Sequence, residues 1–121
     1  MQIKLFFPMF NANQLFSPIL GEYKNAKDRL KALSLRIQPQ LKKYPRFPST
    51  QLPANVHIVF YVNRDNFDVP ALLLLGHALL GILRLSVVLQ DVNNRCISTF
   101  SVSHKYTETP EREGCLITIT H

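Results

Sequence analysis

Alternating apolar and polar positions predict five β-strands along the chain. They cover Gln2–Phe7, Val56–Asn63, Ser86–Leu89, Cys96–Lys105 and Cys115–Thr120. The second of these segments has the strongest β-propensity, since β-forming side chains occupy both of its faces. We therefore expect both faces of this strand to be covered.

Two stretches with helical periodicity separate the strands. The first begins at Glu22 and carries one apolar stripe, and Pro39 is expected to end or bend it. The second, Pro70–Leu83, is apolar on nearly all sides. A helix of that kind is buried on several sides or packs in a subunit interface.

The order of these elements predicts the fold class. It is β-α-β-α-β-β-β, and separated strands with two helices indicate an α+β fold in which a mixed sheet carries both helices on one side. A length of 121 residues and a hydrophobic content of 46% are typical of one globular domain and argue against a disordered chain. We expect residues 1–121 to form that single domain.

The positive charge is concentrated in the N-terminal half. Residues 1–50 contain nine lysines and arginines against two carboxylates, whereas residues 51–121 contain five against six. The net charge of +6 thus comes from the first half and favours a polyanionic partner such as DNA. The candidate DNA-binding residues are Lys24, Lys27, Lys31, Lys42, Lys43, Arg46 and Arg64.

The lysines of the first helix form a stripe whose mutual repulsion a phosphate backbone would relieve. Three aromatic residues near them, Tyr23, Tyr44 and Phe47, are candidates to stack on unpaired bases. The alternative is a solvated basic surface without a partner.

The apolar run Val69–Leu89 raises the question of a membrane span. Pro70 and Arg84 interrupt it, so we expect a buried helix followed by a strand, and no membrane contact. Cys96 and Cys115 have neither metal-ligand nor redox-motif spacing and are expected to be buried free thiols. The first residues lack a secretory signal pattern, which predicts a cytoplasmic protein.

Carboxylates near strand and helix ends suggest a metal site. The second strand leads into Arg64-Asp65-Asn66-Phe67-Asp68, and Asp91 follows the apolar helix. In phosphodiesterases, carboxylates at such positions hold Mg²⁺ against the nucleic-acid backbone. A second interpretation, compatible with the first, is that Asp68 caps the following helix and Asp91 forms a turn.

The order of these motifs resembles the RusA-type Holliday-junction resolvases of phages and prophages. The segment Leu5–Asn13 is similar to that family's opening strand followed by P-x-x-x-N, and a basic helix comes next, as in the family. The family pattern continues with a strand, a D-x-D-N motif, a lysine one helical turn later, a helix, an L-D-D turn and a final meander. The resemblance spans nearly the whole chain and rests on order and spacing more than on identical residues.

Aligned with this pattern, Asp68 keeps the second aspartate of the motif and Asn66 replaces the first. Asp91 keeps one aspartate of the later pair, and Leu72 stands at the position of the lysine. Asp65 lies one residue early and is a candidate shifted ligand. Neighbouring side chains on a strand point to opposite faces, so this role would need a β-bulge.

The resemblance implies Mg²⁺-assisted hydrolysis of a phosphodiester, with Asp68 and Asp91 as metal ligands. Asn66 removes one negative charge from such a site, and Leu72 cannot stabilise a phosphate oxygen as an ammonium would. Losing one such electrostatic contact typically costs about 10²–10³ in rate. We therefore expect weak or lost catalysis.

The resemblance also implies a homodimer, which suits a four-way junction, and helix 70–83 is the expected interface. The expected function is binding of branched DNA, with weak or lost Mg²⁺-dependent endonuclease activity, in a protein of bacterial, phage or prophage origin. The alternative is an inactive resolvase-like fold that regulates or inhibits another protein by binding it.

Overall fold

The computed structural model describes residues 1–8, 23–63 and 69–121, with side chains of the first helix described from residue 30 onward. These residues form four strands and two helices. The strands are β1 (Gln2–Phe6), β2 (Ala54–Val62), β3 (Ile97–Tyr106) and β4 (Gly114–Thr120), and the helices are α1 (Tyr23–Leu41) and α2 (Val69–Leu85).

The strands form one mixed sheet in the order β1-β4-β2-β3. Strand β4 is antiparallel to both of its neighbours, whereas β2 and β3 run parallel. Parallel neighbours need a crossover connection, and α2 lies within the one that joins them. The predicted α+β class, with a mixed sheet and two helices, is confirmed.

The side of the sheet that the helices cover is here called the inner face. It consists of alternate strand residues such as Ile58, Phe60 and Ile117, each 0% exposed. Ile37 of α1 and Leu79 of α2 belong to the same apolar cluster, so both helices pack on this one side. The opposite side chains of β2 are only half-buried, which differs from the expectation that both faces of this strand would be covered.

The predicted strand Ser86–Leu89 is wrong, because this segment caps the end of α2. The backbone N–H groups of Val88 and Leu89 both donate to the carbonyl of Leu83, at 3.0 and 3.3 Å. These donors are therefore not free for a strand ladder. Val87 reverses the chain with a φ of 62°, the left-handed conformation that glycine usually supplies after a helix.

Helix α1 continues past Pro39 and ends at Leu41. The Gln40 side chain then closes the free edge of β1. Its Oε1 accepts from the Phe6 N–H at 2.9 Å, and its Nε2 donates to the Phe6 carbonyl at 2.9 Å. A side-chain amide thus takes the place of a neighbouring strand and protects this edge against pairing with another chain.

Helix α2 buries eight of its residues within the chain's own core. Gly76 permits a close approach to β3, since a Cβ at this position would lie 2.9 Å from Val102 Cγ2. Leu73 and Leu74, each 47% exposed, remain on the surface. Neither described helix combines the length and the hydrophobicity that a membrane span requires.

Candidate nucleic-acid interface

Most of the predicted acidic site lies outside the described residues. The residues concerned are Arg64, Asp65, Asn66 and Asp68. Asp91 is described, and it forms a turn. Its Oδ1 accepts from the Val92 N–H at 2.7 Å and its Oδ2 accepts from Asn93 Nδ2 at 3.2 Å. The turn-forming interpretation thus accounts for both carboxylate oxygens of Asp91.

The described residues by themselves do not fit a Mg²⁺ site. No group of three or more His, Cys, Asp or Glu side chains comes together among them, and Mg²⁺ needs several oxygen ligands in near-octahedral geometry. Leu72, where the resemblance would place a lysine, is 1% exposed and packs in the core. Binding of Mg²⁺ stays a prediction from the sequence.

Glu113 is a buried carboxylate just before β4, and the sequence did not indicate a role for it. It is 6% exposed, and its Oε2 accepts from the Asn63 N–H at 3.1 Å. The Asn63 side chain in turn donates to the Thr107 carbonyl at 2.6 Å. These contacts fasten the end of β2 to the turn before β4. No local pattern around Glu113 signals this role, because its partners are distant in sequence.

The strongest candidate surface is basic and lacks local counter-charges. Between Asp28 and Asp65 the sequence contains seven lysines and arginines and no carboxylate. Lys24 and Lys27 lie in α1, but their side chains are outside the described residues. The cations of this stretch whose side chains are described are all exposed, and they are Lys31, Arg36, Lys42, Lys43 and Arg46.

Strand β1 and the turn after α1 meet at Tyr44, and we call Lys4, Lys42, Lys43 and Tyr44 the basic end. The Tyr44 phenol oxygen accepts from the Lys4 backbone N–H at 3.1 Å. The Lys43 ammonium lies 5.3 Å from the centroid of the Tyr44 ring, within cation–π range. Lys42 and Tyr44 line the same cavity of about 290 Å³. Lys4 is not among the DNA-binding residues predicted from the sequence, because only the tertiary structure brings β1 to this helix end.

The prediction that Phe47 stacks on bases is wrong. Its side chain is 4% exposed and belongs to the apolar core, and its backbone N–H donates to the Val88 carbonyl at 2.9 Å. Tyr44 is half-buried, and the Tyr23 side chain lies outside the described residues. An aromatic residue in a polar loop thus serves the core here and not a ligand.

A second feature is an apolar cleft of about 490 Å³ between α1 and α2. Leu35 and Leu85, which are 63% and 67% exposed, line it together with Ile82. Lys31 and Arg84 also line this cleft. Exposed leucines next to cations indicate a place where a partner molecule would bury apolar surface.

No protein-family model matches the chain, and no curated protein or solved structure matches it significantly. The resemblance to RusA-type resolvases therefore stays a prediction, as do the homodimer and the phage origin that it implies.

Proposed function

We propose that this protein binds nucleic acid through the exposed cations of α1 and the basic end. The observation that carries the proposal is the stretch between Asp28 and Asp65, which has seven cations and no carboxylate. A phosphate backbone supplies the counter-charge that this stretch lacks. Branched DNA is the form that the sequence resemblance favours.

The salt dependence of binding measures how many phosphates the cations contact. Each cation that neutralises a phosphate of duplex DNA releases counterions, and the slope of log Kobs against log[salt] becomes more negative by about 0.9. Contacts from Lys31, Lys42 and Lys43 would together give a slope of about −2.7.

The test is a fluorescence-anisotropy titration of a labelled duplex and a labelled four-way junction, between about 50 and 200 mM salt. The combined variant Lys42→Ala with Lys43→Ala should weaken binding about 10-fold at low salt and make the slope shallower by about 1.8. The matched control is Arg95→Ala with Arg112→Ala, which removes the same charge from exposed positions outside the basic surface. Equal losses in the two double variants, or no loss in the lysine variant, would contradict the proposed surface.

Weak or lost hydrolysis is part of the same proposal and is tested on the same junction with Mg²⁺ or with EDTA. A gel shift without nicks is the expected result. Mg²⁺-dependent nicks that disappear in Asp91→Asn would assign a catalytic role to Asp91, since asparagine keeps an acceptor for the turn. Restoring a lysine at Leu72 would be a poor test, because its ammonium would be buried in the core.

The apolar cleft supports a second candidate function, the binding of a regulatory target protein. An amphipathic acidic helix would place its apolar face on Leu35 and Leu85 and its carboxylates near Lys31 and Arg84. Leu35→Ser would weaken such binding and, because it adds no charge beside Lys31, leave nucleic-acid affinity nearly unchanged. Negligible DNA affinity at about 150 mM salt, together with a partner protein that co-purifies, would favour this function over DNA binding.

The proposed homodimer through α2 is supported by the exposed Leu73 and Leu74. Light scattering of the purified protein tests it directly. A dimer that dissociates in Leu73→Glu but not in Leu35→Glu would assign the interface to α2, and a monomer at all concentrations would contradict it.

A further inference from the structure

The side of the sheet opposite the helices, here called the outer face, is continuous across all four strands. The strand registers arrange its side chains in rows that cross the sheet. Apart from Gly114, the members of these rows are half-buried or exposed. The three complete rows are Gln2-Thr118-His57-Ser101, Lys4-Leu116-Val59-Ser103 and Phe6-Gly114-Tyr61-Lys105.

In the third row, the aromatic side chains of Phe6 and Tyr61 flank Gly114, which has no side chain. We call Phe6, Gly114 and Tyr61 the aromatic bay. Phe6 is 43% exposed and Tyr61 is half-buried. They belong to strands two places apart, so their backbones are about 10 Å from each other. Gly114 has a φ of 150°, and a Cβ there would lie 2.0 Å from the Leu5 carbonyl oxygen. The backbone therefore keeps this position free of a side chain.

The outer face is positively charged and rich in hydrogen-bonding groups. The Lys4 ammonium lies 5.5 Å from the centroid of the Phe6 ring, and Lys105 ends the row of the aromatic bay. In the other two rows, His57 Nδ1 lies 2.5 Å from the Ser101 hydroxyl, and His57 Nε2 lies 3.1 Å from the Ser103 hydroxyl. The described residues of this face include no carboxylate. A polyanion that carries flat aromatic groups matches these properties.

We infer that the outer face binds unpaired nucleotides of a single-stranded nucleic acid. The bases stack on Phe6 and Tyr61, and the phosphates lie near Lys4 and Lys105. Stacking needs free base faces, which neighbouring base pairs cover in a duplex, so this face selects single strands. Because every base has a π-face, binding tolerates many sequences. The inference rests on the proposed nucleic-acid binding and specifies which form of the ligand this second surface takes.

The outer face and the basic end meet at β1. Lys4 belongs to both, since its side chain lies on the outer face while its backbone N–H is bonded to Tyr44. A duplex arm held by the cations of α1 would therefore present its unpaired nucleotides to Phe6. This continuity agrees with a branched ligand whose duplex arms adjoin unpaired nucleotides.

The first experiment measures anisotropy with an oligothymidylate and an oligouridylate of about 15 nucleotides and with a hairpin duplex. Phe6→Leu and Tyr61→Leu keep an apolar side chain and remove the ring, and each should lower single-strand affinity about 10-fold. Duplex affinity should change little. The matched control is Tyr106→Leu, because Tyr106 is 63% exposed but belongs to the other side of β3. Comparing the two oligonucleotides separates a DNA ligand from an RNA ligand.

The second experiment does not depend on loss of affinity. The chain contains no tryptophan, so Phe6→Trp introduces a single fluorescent reporter in the aromatic bay. Stacking of thymine bases should quench its fluorescence at saturation, whereas the fluorescence of Tyr106→Trp should not change. A thermal melt confirms that each variant is folded.

Selective loss of single-strand binding together with quenching in Phe6→Trp would support the inference. Single-strand binding that survives both leucine variants without quenching, but weakens with Lys42→Ala and Lys43→Ala, would overturn it and leave the proposed function standing. Failure of the wild-type protein to bind any of the three probes at about 50 mM salt would overturn both.

Discussion

The inner and outer faces of the sheet come from the same four strands, and adjacent residues belong to opposite faces. On β2, Ile58 is 0% exposed while its neighbour Val59 is half-buried. The inner face is apolar and covered by both helices, whereas the outer face carries lysines, hydroxyl groups and two exposed or half-buried aromatic rings. An uncovered face contributes less burial to stability, so its side chains can be used for binding. In this protein, stability and the inferred single-strand binding therefore belong to opposite sides of one sheet.

Replacing adjacent residues of β2 by alanine should give the largest difference in stability between the inner and outer faces. Ile58→Ala removes fully buried carbons from the inner face and should lower the free energy of unfolding by about 3 kcal/mol. Val59→Ala removes half-buried carbons from the outer face and should cost less than about 1 kcal/mol. Urea denaturation of both variants measures the difference. Equal losses would mean that the outer face is also covered.

A titratable group on the inner face should make the protein less stable at alkaline pH. Burial raises the pKa of the Cys115 thiol above its ordinary value. In the unfolded chain this thiol ionises near pH 8.5. Below that pH the thiol is neutral in both states, and its contribution to the free energy of unfolding is complete. As the pH rises further towards the raised folded-state pKa, stability should fall by about 1.4 kcal/mol per pH unit.

The measurement is urea denaturation at about pH 7, 9 and 10 for the wild type and for Cys115→Ala. The variant should lack the alkaline loss that Cys115 causes, while Cys96→Ala, which retains Cys115, should keep it. Parallel pH profiles of the wild type and Cys115→Ala would show that Cys115 is not the source.

Replacing two glycines of α2 by alanine should change the free energy of unfolding in opposite directions. At Gly76, a Cβ would meet Val102 and Phe100 of β3 at 2.9 and 3.0 Å, so Gly76→Ala should lift the helix from the inner face and cost about 1 kcal/mol or more. At Gly81, a Cβ would meet nothing within 4 Å, so Gly81→Ala should stabilise the helix by about 0.5–1 kcal/mol. Thermal unfolding compares the two, and a change of the same sign in both would contradict the described packing of α2 on β3.

Four of the five strands and both helices could be predicted from periodicity, because a strand or helix with one buried side repeats its apolar residues at a fixed interval. The same reasoning failed at Ser86–Leu89 and at Phe47. In both places apolar residues outside regular structure cover the core, and a short apolar run does not reveal whether its backbone donors are bonded to a helix end or to a strand. Glu113 was missed for a related reason, since its partner Asn63 is fifty positions away.

The sequence by itself determined four of the strands, both helices and the concentration of positive charge before Asp65, because these depend on neighbours along the chain. Only the tertiary structure decided which strands are adjacent. It placed β4 between β1 and β2, which brings Phe6 and Tyr61 to either side of Gly114, and it placed Tyr44 against Lys4. Strand order and register follow from packing among distant segments, and alternation along one strand specifies a face without specifying its neighbours.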